Sequence, residues 1–165
     1  MSTKNLNQDK ALIFRVVHIS NVPWILEQGG LFARSSPEQD PSYVNIGSQE
    51  LIDKRTHRDV PIASGGTLSD YIPFYFTPWS IMMYNLKTGY HGITQRKNEE
   101  IVIFVSTLHK IAALNIPFVF TNGHAYMMEA DFYNDLNDLD KLDWALLQSK
   151  NFKSDPDDLT KQFRY

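Results

Sequence analysis

The sequence predicts an α+β domain. Two apolar runs rich in Ile, Val and Phe, Ala11 to Ile19 and Glu100 to Val105, have the composition of buried strands. Around them lie short segments with their own helix start and stop signals, not one long amphipathic pattern. Strands and helices are therefore interspersed, with no internal repeat, low-complexity tract or interdomain linker, and the 165 residues read as one domain. The expected architecture is mixed or antiparallel sheet flanked by short helices.

Taken in order, the first run reads as a strand ending near His18, after which Asn21 can cap a short helix holding Trp24, Ile25 and Leu26. Pro23 is tolerated in the first turn of that helix, and Gly29-Gly30 stops it. Residues Phe32 to Asn45 read as a loop, followed by a helix from Ser48 to about Thr56. Pro61 to Asp70 is a turn by composition, and Tyr71 to Phe76 is an aromatic strand candidate. Ser80 to Lys87 is a helix ending before Gly89. Ile101 to Val105 is continuously apolar and suits a central strand, with a helix over Thr107 to Leu114 behind it. Phe118 to Phe120 and Tyr126 to Phe132 are further strand candidates around a turn at Thr121 to Gly123. A helix over Asp143 to Gln148 follows, and Asp155-Pro156-Asp157-Asp158 carries the signals of another helix start.

Composition excludes several function classes. Charged residues are 21% and hydrophobic residues 42%, so the chain can bury a core and is not a disordered tract. Cysteine is absent, which removes disulfide scaffolds, thiolate nucleophiles and cysteine-ligated zinc. His18, His57, His91, His109 and His124 show no metal-ligand spacing, so no metal is expected. No Walker A loop, Rossmann glycine fingerprint or nucleophile elbow is present. The polar N-terminus and short apolar stretches predict a soluble, intracellular protein with no membrane partner.

The net charge of -3 conceals a segregation. Lys54, Arg55, Arg58, Lys87, Arg96 and Lys97 crowd the middle of the chain, whereas acids such as Asp131, Asp135, Asp138, Asp140 and Asp143 dominate the C-terminal part. Arg55 and Arg58, three apart, would share a helix face and could clamp a diphosphate, or could form a solvated basic face. Trp79, Tyr84 and Tyr90 close to Arg96 and Lys97 could stack single-stranded nucleic acid, while Phe74, Tyr75 and Phe76 include core residues. The polar group His18-Ile19-Ser20-Asn21 sits where a strand runs into a helix, a place for either ligand contacts or simple capping. His124 lies in a turn entering a strand, where a histidine is either functional or incidental.

Four blocks together resemble the DarT family of DNA ADP-ribosyltransferases: His18-x-Ser20-Asn21, Ile46-Gly47 through Arg55, Gly65-Gly66-Thr67-Leu68 through Tyr71-Ile72-Pro73-Phe74-Tyr75-Phe76 with Pro78, and Asp143-Trp144 with Leu146-Leu147-Gln148-Ser149. The resemblance covers nearly the whole chain from Lys10. It implies the ADP-ribosyltransferase fold related to poly-ADP-ribose polymerases. It further implies NAD as co-substrate, single-stranded DNA as acceptor with thymine as the modified base, and the role of toxin in a bacterial cytoplasm opposite a macrodomain antitoxin of the DarG type.

By the same resemblance, His18, Ile19 and Ser20 with the adjoining Asn21 match the NAD-reading element. Tyr43 belongs to a loop-helix lid over the cofactor, running from Phe32 to Arg55. Arg55 matches the catalytic arginine, and His124 matches the substrate-facing loop with a catalytic role. Arg96 matches a DNA-contacting position, alongside the stacking candidates Trp79 and Tyr84 and the cation Lys97. The family's catalytic glutamate falls a few residues beyond the match to Phe163-Arg164-Tyr165. These 165 residues alone are therefore expected to be inactive or severely impaired while retaining NAD or DNA binding. A non-catalytic binding fragment completed by a second fragment or partner is the alternative expectation.

Overall fold

The computed structural model describes residues 2–151, so the helix start expected at Asp155 lies outside the described residues. Strand β1, Leu12–His18, pairs antiparallel with β2, Ile101–Thr107, in a register that sets Leu12 opposite Thr107 and His18 opposite Ile101. A second two-stranded antiparallel ladder joins β3, Phe120–Thr121, to β4, Phe132–Tyr133.

Short helices fill the connections: α1 Val22–Glu27, α2 Gln49–Arg55, α3 Ile81–Thr88, α4 Leu108–Ala113 and α5 Trp144–Ser149. Local chemistry sets most of their ends. The side chains of Ser48, Ser80, Thr107 and Asp143 each accept a backbone N–H of the first turn of α2, α3, α4 and α5. Gly89 closes α3 with φ +73, a conformation that spares only glycine the Cβ penalty.

Strand β1 separates two cores. Ile13 packs with Leu108, Phe120, Leu139 and Leu142, whereas Val16 packs with Ile46 and Leu86. Phe76 meets Phe120 and Trp144 edge to face, with centroids 6.0 and 5.6 Å apart, so part of the aromatic block is core.

Two strand expectations fail. Tyr71 to Phe76 is not a strand: Phe14 and Tyr75 form an isolated bridge, while the carbonyls of Tyr71 and Pro73 accept from arginine side chains. Pro73 has no N–H to offer a ladder in any case. Residues 126–131 form turns closed by Met127 N–H to His124 O (2.8 Å), leaving only Phe132–Tyr133 as strand. β2 is also not central among the described residues, where β1 is its sole partner and Val105 stands 57% exposed. An apolar run specifies neither the number of neighbours a strand has nor full cover of its faces, and no residue of β2 is fully buried.

Candidate active site

Helix α2 delivers Arg55 from its last turn. Its guanidinium Nη2 donates to the carbonyls of Leu68 and Tyr71 (3.2 Å for the latter), so the side chain is fastened to the segment after Gly65-Gly66. That segment is tightly specified. Gly66 has φ +74, and a Cβ there would stand 2.6 Å from Asp70 Oδ2. The same carboxylate accepts the Thr67 N–H at 2.7 Å, closing a capping box around Leu68–Asp70. A side chain at position 66 would break this turn, and with it the carbonyl array that holds Arg55.

A second guanidinium lies close by. Arg15, in the middle of β1, donates from Nη1 to Pro73 O at 3.1 Å, and its Nε is buried without a partner. Among the described residues, neither Arg15 nor Arg55 is ion-paired with a carboxylate. Burial holds the Arg55 guanidinium below the ordinary arginine value, and the charge of Arg15 pushes the same way. Two neighbouring, half-buried guanidinium groups with no carboxylate partner among the described residues form a cationic spot suited to an anionic ligand. They border a cavity of about 160 Å³ that Trp24, Tyr43, Gly47 and Tyr71 also line.

On its other side Arg55 borders a far larger cleft of about 1240 Å³, shared with Gly65, Gly66, Tyr71, Gly123 and His124. The His124 ring accepts the Tyr126 N–H at Nδ1 (3.3 Å), which assigns its proton to Nε2. Burial pushes the His124 pKa down, and the charge of Arg55 adds to the shift. The ring is thus neutral at neutral pH and presents an N–H donor.

The structure disperses several of the other predicted residues. His18 lines neither cavity; its Nδ1 contacts Ser20 Oγ at 2.7 Å and its Nε2 faces Glu100 Oε1 at 3.5 Å. Ile19 is 48% exposed and Ser20 is also at the surface. Asn21 is 1% exposed and does not cap α1. Its amide is wholly engaged with the main chain of Val44, donating Nδ2 to Val44 O (3.0 Å) and accepting Val44 N–H at Oδ1 (2.9 Å). Asn21 therefore pins the 29–48 loop, which places Tyr43 at the smaller cavity, and its amide is not turned to a ligand.

Tyr84 and Tyr90 meet edge to face at 6.2 Å on the surface, but Trp79 lies under the Lys150 ammonium, 3.9 Å from its ring centroid. Arg96 is ion-paired to Glu100 at 3.3 Å, and Lys97 is exposed. Arg58 does not share the inward direction of Arg55, because beyond α2 the chain turns and its guanidinium reaches Met127 O instead. Arg15 escaped the sequence reading. A lone arginine inside Leu12-Ile-Phe-Arg-Val-Val17 was the available signal, since an unpaired charge in a buried strand is costly.

Comparison with known proteins bears on this geometry. The family model described as "ssDNA thymidine ADP-ribosyltransferase, DarT" matches residues 14–164. The chain belongs to the DarT family. A DNA ADP-ribosyl transferase of Escherichia coli O127:H6 (strain E2348/69 / EPEC) is 52% identical over 161 residues, covering 98% of this chain and 73% of the relative. Thermus sp. 2.9 DarT, solved in complex with ADP-ribosylated single-stranded DNA, superposes with TM-score 0.82 at 31% identity, over 94% of this chain and 72% of that one. The same Thermus protein in complex with NAD+ gives TM-score 0.76 at 32% identity, over 94% and 73%. The α+β fold is therefore that of the DarT ADP-ribosyltransferases, and DarT proteins are enzymes that modify DNA with NAD. Among the described residues no helix is long and apolar enough to cross a membrane, and no cluster of three or more His, Asp or Glu could hold a metal ion.

Proposed function

We propose that this DarT protein transfers ADP-ribose from NAD to thymine in single-stranded DNA within the cleft between Arg55 and His124. The observation that carries the reading is the uncompensated pair Arg15 and Arg55, on a cavity that adjoins the cleft holding a neutral histidine. A dinucleotide diphosphate supplies the anion that these guanidinium groups lack, and the aromatic and glycine lining suits its adenosine and ribose parts.

In the reaction the bond between nicotinamide and ribose C1 breaks and neutral nicotinamide leaves with the bonding pair. A new bond forms from that carbon to the ring nitrogen of thymine that carries the sole ring N–H of the nucleotide, and its proton is lost to solvent or a site base. Oxocarbenium character at the ribose needs a fixed electrostatic surround, which Arg55 provides by holding the diphosphate. In this reading the His124 Nε2–H donates to a thymine carbonyl, which its place on the cleft lining supports. Single strands spare the enzyme the few kcal/mol of extracting a base from a duplex. In this reading Tyr43 and the 29–48 loop cover the dinucleotide, with Asn21 anchoring the loop. In this reading Tyr84, Trp79, Arg96 and Lys97 contact the single strand, with Trp79 offering its ring to a base in place of the Lys150 ammonium.

We further read this activity as that of a cytoplasmic toxin opposed by a macrodomain antitoxin of the DarG type, a reading that rests on membership of the DarT family. Expressing the full reading frame and incubating the product with NAD and a thymine-containing oligonucleotide should add the mass of one ADP-ribose to the oligonucleotide. An unmodified thymine oligonucleotide, or equal modification of one lacking thymine, would end this reading.

A further inference from the structure

Arg58 carries a duty separate from that of Arg55. Its guanidinium donates from Nη2 to Met127 O (3.1 Å) and from Nε to Ala125 O (3.5 Å), lies 3.7 Å from Met128 Sδ, and sits over the Phe132 ring at 5.8 Å from the centroid. Its main chain is committed elsewhere: Arg58 O accepts from Leu68 N at 2.9 Å, and the next residue, Asp59, forms an antiparallel bridge with Thr67. One residue thereby joins the 66–71 segment, whose carbonyls grip Arg55, to the 122–131 loop, which carries His124.

The loop depends on such a tie. At its stem Asn122 and Asp131 exchange two hydrogen bonds, Nδ2 to Oδ2 at 2.9 Å and Asp131 N–H to Oδ1 at 3.0 Å, beside the β3–β4 ladder. Beyond the stem residues 123–127 are half-buried and the tip opens to solvent, where Met128 is 80% exposed. The stem fixes where the loop leaves the sheet, but it does not fix how the tip leans. Two side chains reach the tip from the other side: Lys54 of α2, whose ammonium lies 5.7 Å from the Tyr126 ring centroid, and Arg58 just beyond α2, with its fork on Ala125 O and Met127 O. Arg58 Nη2 and Nε serve two carbonyls of one turn together, a geometry that the single ammonium of lysine cannot copy.

We infer that Arg58 is a positioning residue for the acceptor base: it sets the distance and angle between His124 and the Arg55 guanidinium. The inference rests on the transfer reading above, and it assigns Arg58 to acceptor recognition and not to the NAD cavity, which Arg58 does not line.

The test uses protein from the full reading frame, with R58A and R58K. Both should lower kcat/KM for a thymine oligonucleotide by about ten- to a hundredfold, the scale of loss when reacting groups are misplaced by about 1 Å. The NAD dissociation constant, measured by calorimetry, should stay within about twofold, since each 1.4 kcal/mol is tenfold. K54Q should shift kcat/KM in the same direction by less. If R58K keeps wild-type kcat/KM, Arg58 acts only as a charge toward DNA and the inference is overturned. A parallel loss of NAD affinity, or no change in R58A, overturns it as well. Should R58A fail to fold, R58K, which retains the stem and the charge, decides. A wild-type protein that forms no adduct overturns the transfer reading first, and this inference with it.

Discussion

Asn21 offers the sharpest test of how the site is built. Its buried amide makes two hydrogen bonds to the main chain of Val44, at 3.0 and 2.9 Å, across 23 residues of sequence. Truncation by Asn21→Ala removes both and leaves a backbone N–H and C=O short of partners. At about 0.5 to 1.5 kcal/mol per bond the loss is roughly 1 to 3 kcal/mol. In a domain of this size about 1 kcal/mol moves Tm by roughly 2 to 4 °C, so Asn21→Ala should melt about 2 to 12 °C lower. Asn21→Asp should cost more, because a carboxylate oxygen would replace Nδ2 and face the Val44 carbonyl. NAD affinity should fall in both variants, since the pinned loop carries Tyr43 and reaches Ile46 and Gly47 at the smaller cavity. Chemical denaturation and calorimetry measure the two effects. If Asn21→Ala changes stability by less than about 0.5 kcal/mol yet still weakens NAD binding, the amide serves the ligand directly and the anchoring argument is wrong.

Arg15→Met keeps the apolar stem and removes the guanidinium. Losing a charge-assisted contact of about 1.5 to 3 kcal/mol should weaken NAD binding by about ten- to a hundredfold. Stability in the absence of ligand should stay within about 1 kcal/mol of wild type, because relief of repulsion with Arg55 offsets the lost bond to Pro73; unchanged NAD affinity would exclude Arg15 from the site. For His124 the folded pKa lies below the ordinary histidine value, so its contribution to folding is complete above that value. As the pH falls below it, the unfolded chain takes up a proton that the native ring refuses, and stability should decline until the lowered folded pKa is passed. Histidine ring-proton NMR should show His124 titrating below the ordinary value, and a normal or raised titration would contradict its buried place beside Arg55.

The site was legible where sequence types its residues chemically, and illegible where their use depends on direction. Arg55 and His124 were singled out in sequence and they border one cleft. Arg58 carries the same charge three positions from Arg55, yet a turn after α2 sends it to a different loop. Asn21 has the residue type of both a helix cap and a ligand contact, and the fold engages its amide with the main chain of Val44, not with the head of α1. Tyr71 to Phe76 has strand composition, but arginine side chains take its carbonyls before a neighbouring strand can.

Local signals along the chain suffice for the α+β class, the first strand, the helices with serine, threonine or aspartate at their heads, and the tight turn at Gly65-Gly66. Those features depend on side chains a few residues apart, where capping, φ preference and apolar runs act locally. Long-range packing is what sets Arg15 near Arg55, Asn21 on Val44, and Arg58 between two segments. Each of these contacts closes a loop of more than twenty residues or crosses between elements, so its partner is chosen by packing and not by neighbours in the chain.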